Sequence, residues 1–341
     1  MKKFILILVG ICAGLATSAQ SNLYFNNFWQ DTYLLNPAAI DQLAPDWKFG
    51  LGSRKQWLQM TGSPVTGQFS FMYCNEAAHL QTSLSVTADR IGYTYTTDIG
   101  LSYAYLLFLG NSQLNMGVSL HLQNLFYDKS KIITQEGGDP AIDFLTENWW
   151  RQAKFNSDFG IEYIYNSDVG NFLFGAVSKN FIPKKVLSSD LDIFPNTNYV
   201  YGRYHSGRRD NMFSSGSAGN FDYSIAAVGI HTGNLEGKAN FLQAILNVNV
   251  HWNYDDYIFS AGLLYGTKED LGIVLGLDIV YNFSASLIYL YNWTIRKDIL
   301  NPAGSFELVL TYRINPKGSS RPCKKRGAEC LPERKIARSP Y

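Results

Sequence analysis

Long apolar runs are missing from this chain after its first twenty residues, and that absence excludes one class of membrane protein. No later stretch is continuously apolar for the ~20 residues that a membrane helix needs. Only helices and closed β-barrels satisfy every backbone hydrogen bond in lipid. Any membrane protein formed by this chain must therefore be a barrel.

Charged residues are also scarce, at 17% of the chain against ~25% in soluble domains. Aromatic residues are abundant, at 15%, with 22 Tyr, 21 Phe and 7 Trp. Such an excess is typical of the aromatic girdles with which a transmembrane barrel contacts both membrane surfaces. A secreted β-sandwich or propeller would share part of this profile, so composition alone leaves those folds open.

Motifs for catalysis, metals and cofactors are missing as well. None of the five histidines belongs to a His-x3-His pair or an HExxH motif, and no GxSxG or phosphate-binding glycine loop occurs. We therefore predict no enzyme, no metal and no cofactor. One hydrolase hypothesis stays open, because His121 lies two residues from Ser119, as a nucleophile and its base could. The alternative is that His121 is a polar residue facing a barrel lumen.

The first nineteen residues have the order of a secretory signal peptide. Lys2 and Lys3 precede an apolar run from Phe4 to Ala16, and small residues follow before Gln20. We expect export and cleavage of residues 1–19.

The stretch Gln113–Phe126 gives the clearest secondary-structure signal. Its apolar residues occupy every second position, and small or polar residues stand between them. Side chains of a strand alternate between two faces, so this pattern predicts one apolar and one polar face. Its length fits a tilted strand that crosses a bilayer in ~9–11 residues.

The same alternation recurs along the chain and predicts an antiparallel transmembrane barrel of about fourteen strands. The predicted strands are Trp47–Gln56, Val65–Tyr73, Leu80–Asp89, Thr97–Leu107, Gln113–Phe126, Phe155–Tyr165, Asn171–Asn180, Asn198–Arg208, Phe221–Thr232, Phe241–Trp252, Tyr257–Gly266, Leu271–Tyr281, Ser284–Ile295 and Ser305–Ile314.

Connection lengths predict the orientation of this barrel. If the N-terminus is periplasmic, most periplasmic links are short, and the outward links include the long ones Tyr127–Lys154 and Phe181–Thr197. Short inner turns and long outer loops are how such barrels are built. The barrel would span residues 47–314, between an N-terminal segment, 20–46, at the periplasmic mouth and a tail, 315–341. The N-terminal segment could also plug or close that mouth.

The tail is basic and carries two cysteines. Its basic residues outnumber its acids Glu329 and Glu333, so it could bind an acidic partner or anionic lipid, or simply be solvated. Cys323 and Cys330 could form a disulfide in the oxidising periplasm, with free thiols or half of a metal site as alternatives. The basic residues are Lys317, Arg321, Lys324, Lys325, Arg326, Arg334, Lys335 and Arg338.

Short motifs in a fixed order resemble the PorP/SprF family, whose members are outer-membrane proteins of the type IX secretion system of Bacteroidetes. Those that carry the resemblance are Asn36-Pro37-Ala38, Arg54, Gln56-Trp57, Pro64, Gln68-Phe69-Ser70, Asp89-Arg90-Ile91-Gly92, Tyr103-Ala104-Tyr105 and Gly304-Ser305-Phe306-Glu307.

The resemblance implies a non-enzymatic outer-membrane barrel that docks or anchors secreted proteins, in some members for gliding motility. Implied partners are other type IX subunits, a peptidoglycan-binding OmpA-like lipoprotein and secreted C-terminal-domain cargo; nucleic acid is excluded by location. A diffusion channel for small or hydrophobic solutes is the alternative.

For three charged residues of these motifs, we expect specific contacts. Arg54 inside a barrel needs a partner, and we expect either a functional contact or an acid of the N-terminal segment. Asp89 and Arg90 at a strand end are expected to form a capping ion pair.

Overall fold

The structure is a computed structural model that describes residues 25–41, 46–58, 60–127, 153–167, 169–181, 196–206, 220–232, 241–254, 257–267, 270–279, 282–292 and 304–314. Within these ranges, no helix is long and apolar enough to cross a membrane. Cys323, Cys330 and the basic tail lie outside the described residues.

Fourteen strands form a closed barrel in which each strand pairs antiparallel with the next and β1 pairs with β14. This confirms the predicted fold and strand count, and predicted ends differ from observed ones by three residues at most. The strands are β1 Trp47–Lys55, β2 Val65–Asn75, β3 Leu80–Ile91, β4 Thr94–Leu109, β5 Ser112–Tyr127, β6 Lys154–Ser167, β7 Gly170–Lys179, β8 Thr197–His205, β9 Asn220–Thr232, β10 Phe241–Tyr254, β11 Tyr257–Gly266, β12 Asp270–Ile279, β13 Phe283–Asn292 and β14 Ser305–Ile314.

The two faces of the barrel wall have opposite chemistry. On β5, Leu120 faces outward and is 62% exposed, whereas its neighbour Ser119 faces the lumen and is buried. The same alternation places Ile161 outside and Glu162 inside on β6. An apolar outer face around a polar interior is the arrangement of a barrel surrounded by lipid.

Exposed aromatic residues lie near both ends of the barrel. One ring is on the end that holds the start of β1 and the end of β14, and it includes Tyr165, Tyr254, Tyr257 and Tyr312. The other is on the opposite end and includes Phe155, Tyr265, Tyr291 and Phe306. Two such rings mark the membrane–water interfaces.

The short connections lie at the end of the barrel that holds the chain termini, and we call it the periplasmic end because short turns are typical of that side. There, β4 and β5 are joined through Gly110, whose φ of +61° suits a tight turn. At the same end, a short 3₁₀ turn, Glu76–Ala78, joins β2 to β3. The longest links, 128–153 and 180–196, leave the opposite end, as the sequence predicts for the outer surface.

Residues Phe25–Asp41 lie inside the barrel, and we call them the lumen plug. The plug contains one short helix, α1 (Thr32–Leu35), and it buries Phe28, Tyr33 and Ile40 among wall residues. The sequence led us to expect this segment at the periplasmic mouth. It reaches further, because Asn26 contacts Glu307 near the outer end of β14.

Two wall glycines make room for the plug. Gly117 on β5 is paired with Gly160 on β6, and the Asn36-Pro37-Ala38 turn packs directly on this pair. A Cβ added at Gly117 would overlap the backbone of Pro37 and Ala38, and one at Gly160 would overlap the side chain of Asn36. The absence of side chains here lets the turn approach the wall.

We predict that Gly160→Val destabilises the protein by about 1–3 kcal/mol, because the new side chain overpacks the plug contact. The matched control is Gly67→Val on the outer face of β2, where an added Cβ meets nothing within 4 Å. Urea unfolding, followed by the gel mobility of the folded barrel, measures the difference. Equal stability of the two variants would contradict the observed seating of the plug.

Candidate functional site: the plug–wall interface

Asn36 fixes the turn of the plug to the wall. Its amide nitrogen donates to the carbonyl oxygen of Ile161 at 2.9 Å and lies 3.0 Å from the hydroxyl of Tyr201. Its amide oxygen accepts from the backbone N–H of Ala38 at 2.9 Å, which closes the Asn36-Pro37-Ala38 turn. The motif residue Asn36 is therefore completely engaged between plug and wall.

Glu162 anchors the plug just beyond that turn. This fully buried carboxylate accepts the backbone N–H of Ile40 at 3.1 Å and the hydroxyl of Tyr201 at 2.7 Å. Its third contact, with the amide of Asn115, is longer at 3.4 Å. Sequence analysis missed Glu162, although the two acids on the lumen face of this predicted strand, Asp158 and Glu162, could have drawn attention to it.

Lys48 contacts the plug at two points, the residue before α1 and the last residue of the plug. Its ammonium lies 2.5 Å from Asp31 and 2.6 Å from Asp41, and its side chain is 1% exposed. Arg313 approaches Asp41 at 3.5 Å and Asp278 at 3.7 Å. The plug is thus tied to β1 and β14 through opposite charges buried away from water, where such pairs are strongest.

Tyr33 adds a hydrogen bond between α1 and the wall. Its hydroxyl lies 2.8 Å from the hydroxyl of Ser70 on β2. Burial, reinforced by the negative charge of Asp31, raises the pKa of Tyr33 well above its ordinary value. The phenol therefore stays protonated across the physiological range.

Arg54 pairs with Glu307, at 3.0 Å between the guanidinium Nε and the carboxylate. Of the two alternatives for Arg54, a functional contact or an acid of the N-terminal segment, the second differs from this ion pair, because Glu307 is a wall residue and Asp31 and Asp41 lie beside Lys48. Register explains the difference, because Glu307 lies directly opposite Arg54 on the neighbouring strand. The plug still takes part, as both the backbone and the side-chain nitrogens of Asn26 donate to Glu307.

The structure brings several of the family-motif residues into one row. Glu307, Arg54, Thr66 and Asp89 are successive cross-strand partners on β14, β1, β2 and β3. Thr66 donates to Asp89 at 2.5 Å and extends the polar row. Motif positions that are far apart in sequence therefore form a continuous band on the lumen wall.

Asp89 and Arg90 do not form the expected capping ion pair. As neighbours on one strand they point to opposite faces, and Asp89 is bonded to Thr66 instead. Arg90 is exposed, lies 5.3 Å from the ring centre of Tyr95 and donates to the carbonyl oxygen of Gly92 at 3.3 Å.

Motif residues Gln56, Trp57, Pro64 and Gly92 lie in the outer links, away from the plug. The backbone N–H of Gln56 donates to the carbonyl oxygen of Pro64 at 3.0 Å, and Trp57 has a positive φ of 49°. Gly92, with a φ of +60°, donates to the carbonyl oxygen of Gly62 at 3.0 Å. The β1–β2 and β3–β4 links are thereby held together.

His121 lies in the lumen wall beside Ser119, but its other contacts oppose the hydrolase hypothesis. Its Nδ1 lies 2.7 Å from Asp98, and its Nε2 lies 3.0 Å from Asp158 and 2.9 Å from Ser119. A ring flanked by carboxylates at both nitrogens donates a proton to each. It then has no lone pair with which to deprotonate Ser119.

In the described ranges, no group of three or more His, Cys, Asp or Glu residues could hold a metal ion. Cys74 is a buried thiol on β2.

Comparisons with known proteins identify a family. A family model described as type IX secretion system membrane protein PorP/SprF matches residues 17–312. A comparison with curated proteins finds no match.

Among solved structures, the chain is similar to the Pseudomonas putida toluene transporter TodX, with 10% identity, a TM-score of 0.47 and coverage of 86% of this chain and 95% of TodX. It is also similar to the CymD monoaromatic hydrocarbon channel, with 12% identity, a TM-score of 0.46 and coverage of 84% and 93%. CdiB from Acinetobacter baumannii matches with 10% identity and a TM-score of 0.42, over 78% of this chain and 60% of CdiB. Because these TM-scores are all below 0.5, the similarities do not support a functional assignment.

We predict that Glu307→Gln destabilises the barrel by about 3–5 kcal/mol, because it leaves the buried guanidinium of Arg54 without its counter-charge. The double variant Arg54→Met/Glu307→Gln removes both charges and should recover part of that loss. Urea unfolding of the two single variants and the double variant measures the coupling. Additive losses would show that the two charges do not interact.

Proposed function

The chain belongs to the PorP/SprF family of type IX secretion system membrane proteins, and we propose that it docks secreted proteins and periplasmic subunits at the outer membrane. The match confirms the resemblance that the sequence motifs indicated. The chain is thus an outer-membrane component of type IX secretion, and the docking role is our proposal.

The occupied lumen is the observation that carries the proposal. Plug residues fill the barrel from near the outer end of β14 to the periplasmic start of β1. Two cavities between the plug and the wall measure about 130 and 50 Å³, room for about four and about two water molecules at ~30 Å³ per molecule. A barrel closed in this way favours a scaffold over a conduit.

A rigid, closed barrel is suited to hold partners at its two mouths. In our proposal the outer mouth presents C-terminal-domain cargo, including gliding adhesins, and the periplasmic mouth binds type IX subunits such as an OmpA-like lipoprotein. The basic tail after Ile314 starts at the periplasmic mouth, which supports a contact with an acidic partner or with anionic headgroups there. No enzymatic step, cofactor or metal is part of this proposal.

The test is affinity purification of the tagged protein from mildly solubilised outer membranes, with mass spectrometry of the proteins that co-elute. We expect periplasmic type IX subunits, a large secreted protein, or both. A second tagged barrel from the same membranes controls for non-specific capture, and deletion of Ser319–Tyr341 tests the tail. Recovery of the barrel alone, with secretion intact in a deletion strain, would overturn the docking role.

We also predict that the purified protein shows no steady ionic current in planar lipid bilayers, because the plug occupies the lumen. Asp31→Asn/Asp41→Asn removes both partners of Lys48 and should produce frequent current steps. Asp89→Asn is the matched control, since it changes a lumen carboxylate that does not contact the plug. A large, stable current from the unaltered protein would favour the diffusion-channel alternative instead.

A further inference from the structure

The cavity of about 130 Å³ lies between the plug and one side of the wall, near the periplasmic end. Several of its lining residues lie at the periplasmic ends of strands. Arg313 is the penultimate residue of β14, and Asp278 is the penultimate residue of β12. The opposite side of the cavity is formed by plug residues Trp29 and Tyr33. The cavity therefore lies beside the mouth that faces the periplasm.

Arg203 on β8 is a cation of this lining that no carboxylate of the described residues meets within ion-pair distance, although Asp41 and Asp278 attract it from further away. Its Nη1 donates to the carbonyl oxygen of Trp29 at 3.2 Å, and it makes no ion pair with any carboxylate of the described residues. Its Nε is buried and makes no hydrogen bond. A guanidinium has five N–H donors, so most of its donor capacity is unused.

The carboxylates around the cavity are already engaged with other groups. Asp41 is bound by Lys48 at 2.6 Å and approached by Arg313 at 3.5 Å. Asp278 faces Arg313 at 3.7 Å, and Asp222 accepts from the amide of Asn253 at 2.7 Å. Arg203 thus faces a cavity whose own acids have donors elsewhere.

The side chain of Arg203 is partly buried, and a charge removed from water in this way is costly unless an opposite charge meets it. A planar guanidinium matches a carboxylate in shape and can bind it through two parallel hydrogen bonds. The space equals roughly four water molecules at ~30 Å³ each, which admits a carboxylate with a short carbon stem but not a large ligand. The size of the cavity and the charge of Arg203 therefore both favour a small carboxylate.

We propose that this cavity is a binding site for a carboxylate that enters from the periplasm and pairs with Arg203. The carboxylate is either a small free anion or one carried by a polypeptide, at its C-terminus or on an acidic side chain. The site does not depend on the docking role, because a small free anion would bind to it in the isolated barrel.

Isothermal titration of the full-length, detergent-purified protein tests the proposal with three probes. Acetate represents the free anion, N-acetyl-Ala-Ala the carboxylate of a polypeptide, and N-acetyl-Ala-Ala-amide the same peptide without a charge. We expect binding of at least one carboxylate probe and none of the amide. Tighter binding of the peptide than of acetate assigns a polypeptide ligand, and equal or tighter binding of acetate assigns a small anion.

Variants at Arg203 connect the binding to this cavity. Arg203→Gln should weaken binding by about tenfold or more, as expected for the loss of a charge-assisted hydrogen bond, and Arg203→Lys should retain part of it. Arg90→Gln, the same change at an exposed position near the outer end, should leave binding unaltered. Gel mobility of the folded barrel establishes that each variant is folded.

Three results would overturn the proposal. They are no binding of either carboxylate probe, equal binding of the amide, and unchanged binding by folded Arg203→Gln.

Discussion

A charge inside a membrane-spanning barrel needs an opposite charge beside it, and Lys48 shows how this constraint organises the molecule. Its ammonium, almost fully buried on the first strand, is met by Asp31, which precedes α1, and by Asp41, the last residue of the plug. If the plug left the lumen, Lys48 would lose both partners. The same holds in part for Glu307, which would lose the donors of Asn26. Barrel and plug are therefore one electrostatic unit.

Steric fit makes this unit specific. Wall glycines accept the Asn36-Pro37-Ala38 turn, and Glu162 accepts the backbone N–H that follows it. Glycine lets two backbones approach closely, and a buried carboxylate is tolerated because donors surround it. The ion pairs and the steric fit hold the plug in one position. We therefore favour a closed scaffold over a conduit as the function of the barrel.

The sequence predicts the barrel well, because lipid on one side and a polar lumen on the other impose the alternation seen in Gln113–Phe126. It cannot predict how deep the plug reaches, since Phe25–Asp41 has no periodic pattern and Asn26 meets a residue 281 positions away. The sequence also could not identify the partner of Arg54, because several acids were available and only strand register places Glu307 opposite it. Arg203 was overlooked because one polar residue in an alternating strand resembles any other lumen residue.

The most direct measurement of the central claim is a disulfide cross-link between plug and wall in native outer membranes. Asn27 donates to Ser286 at 2.6 Å, so Asn27→Cys/Ser286→Cys should cross-link almost completely under mild oxidation, as read by mass spectrometry. Asn27→Cys/Ser224→Cys, which introduces a cysteine on β9 next to His251, is the control and should not. A folded barrel without the first cross-link would contradict a lumen occupied by its own N-terminal segment.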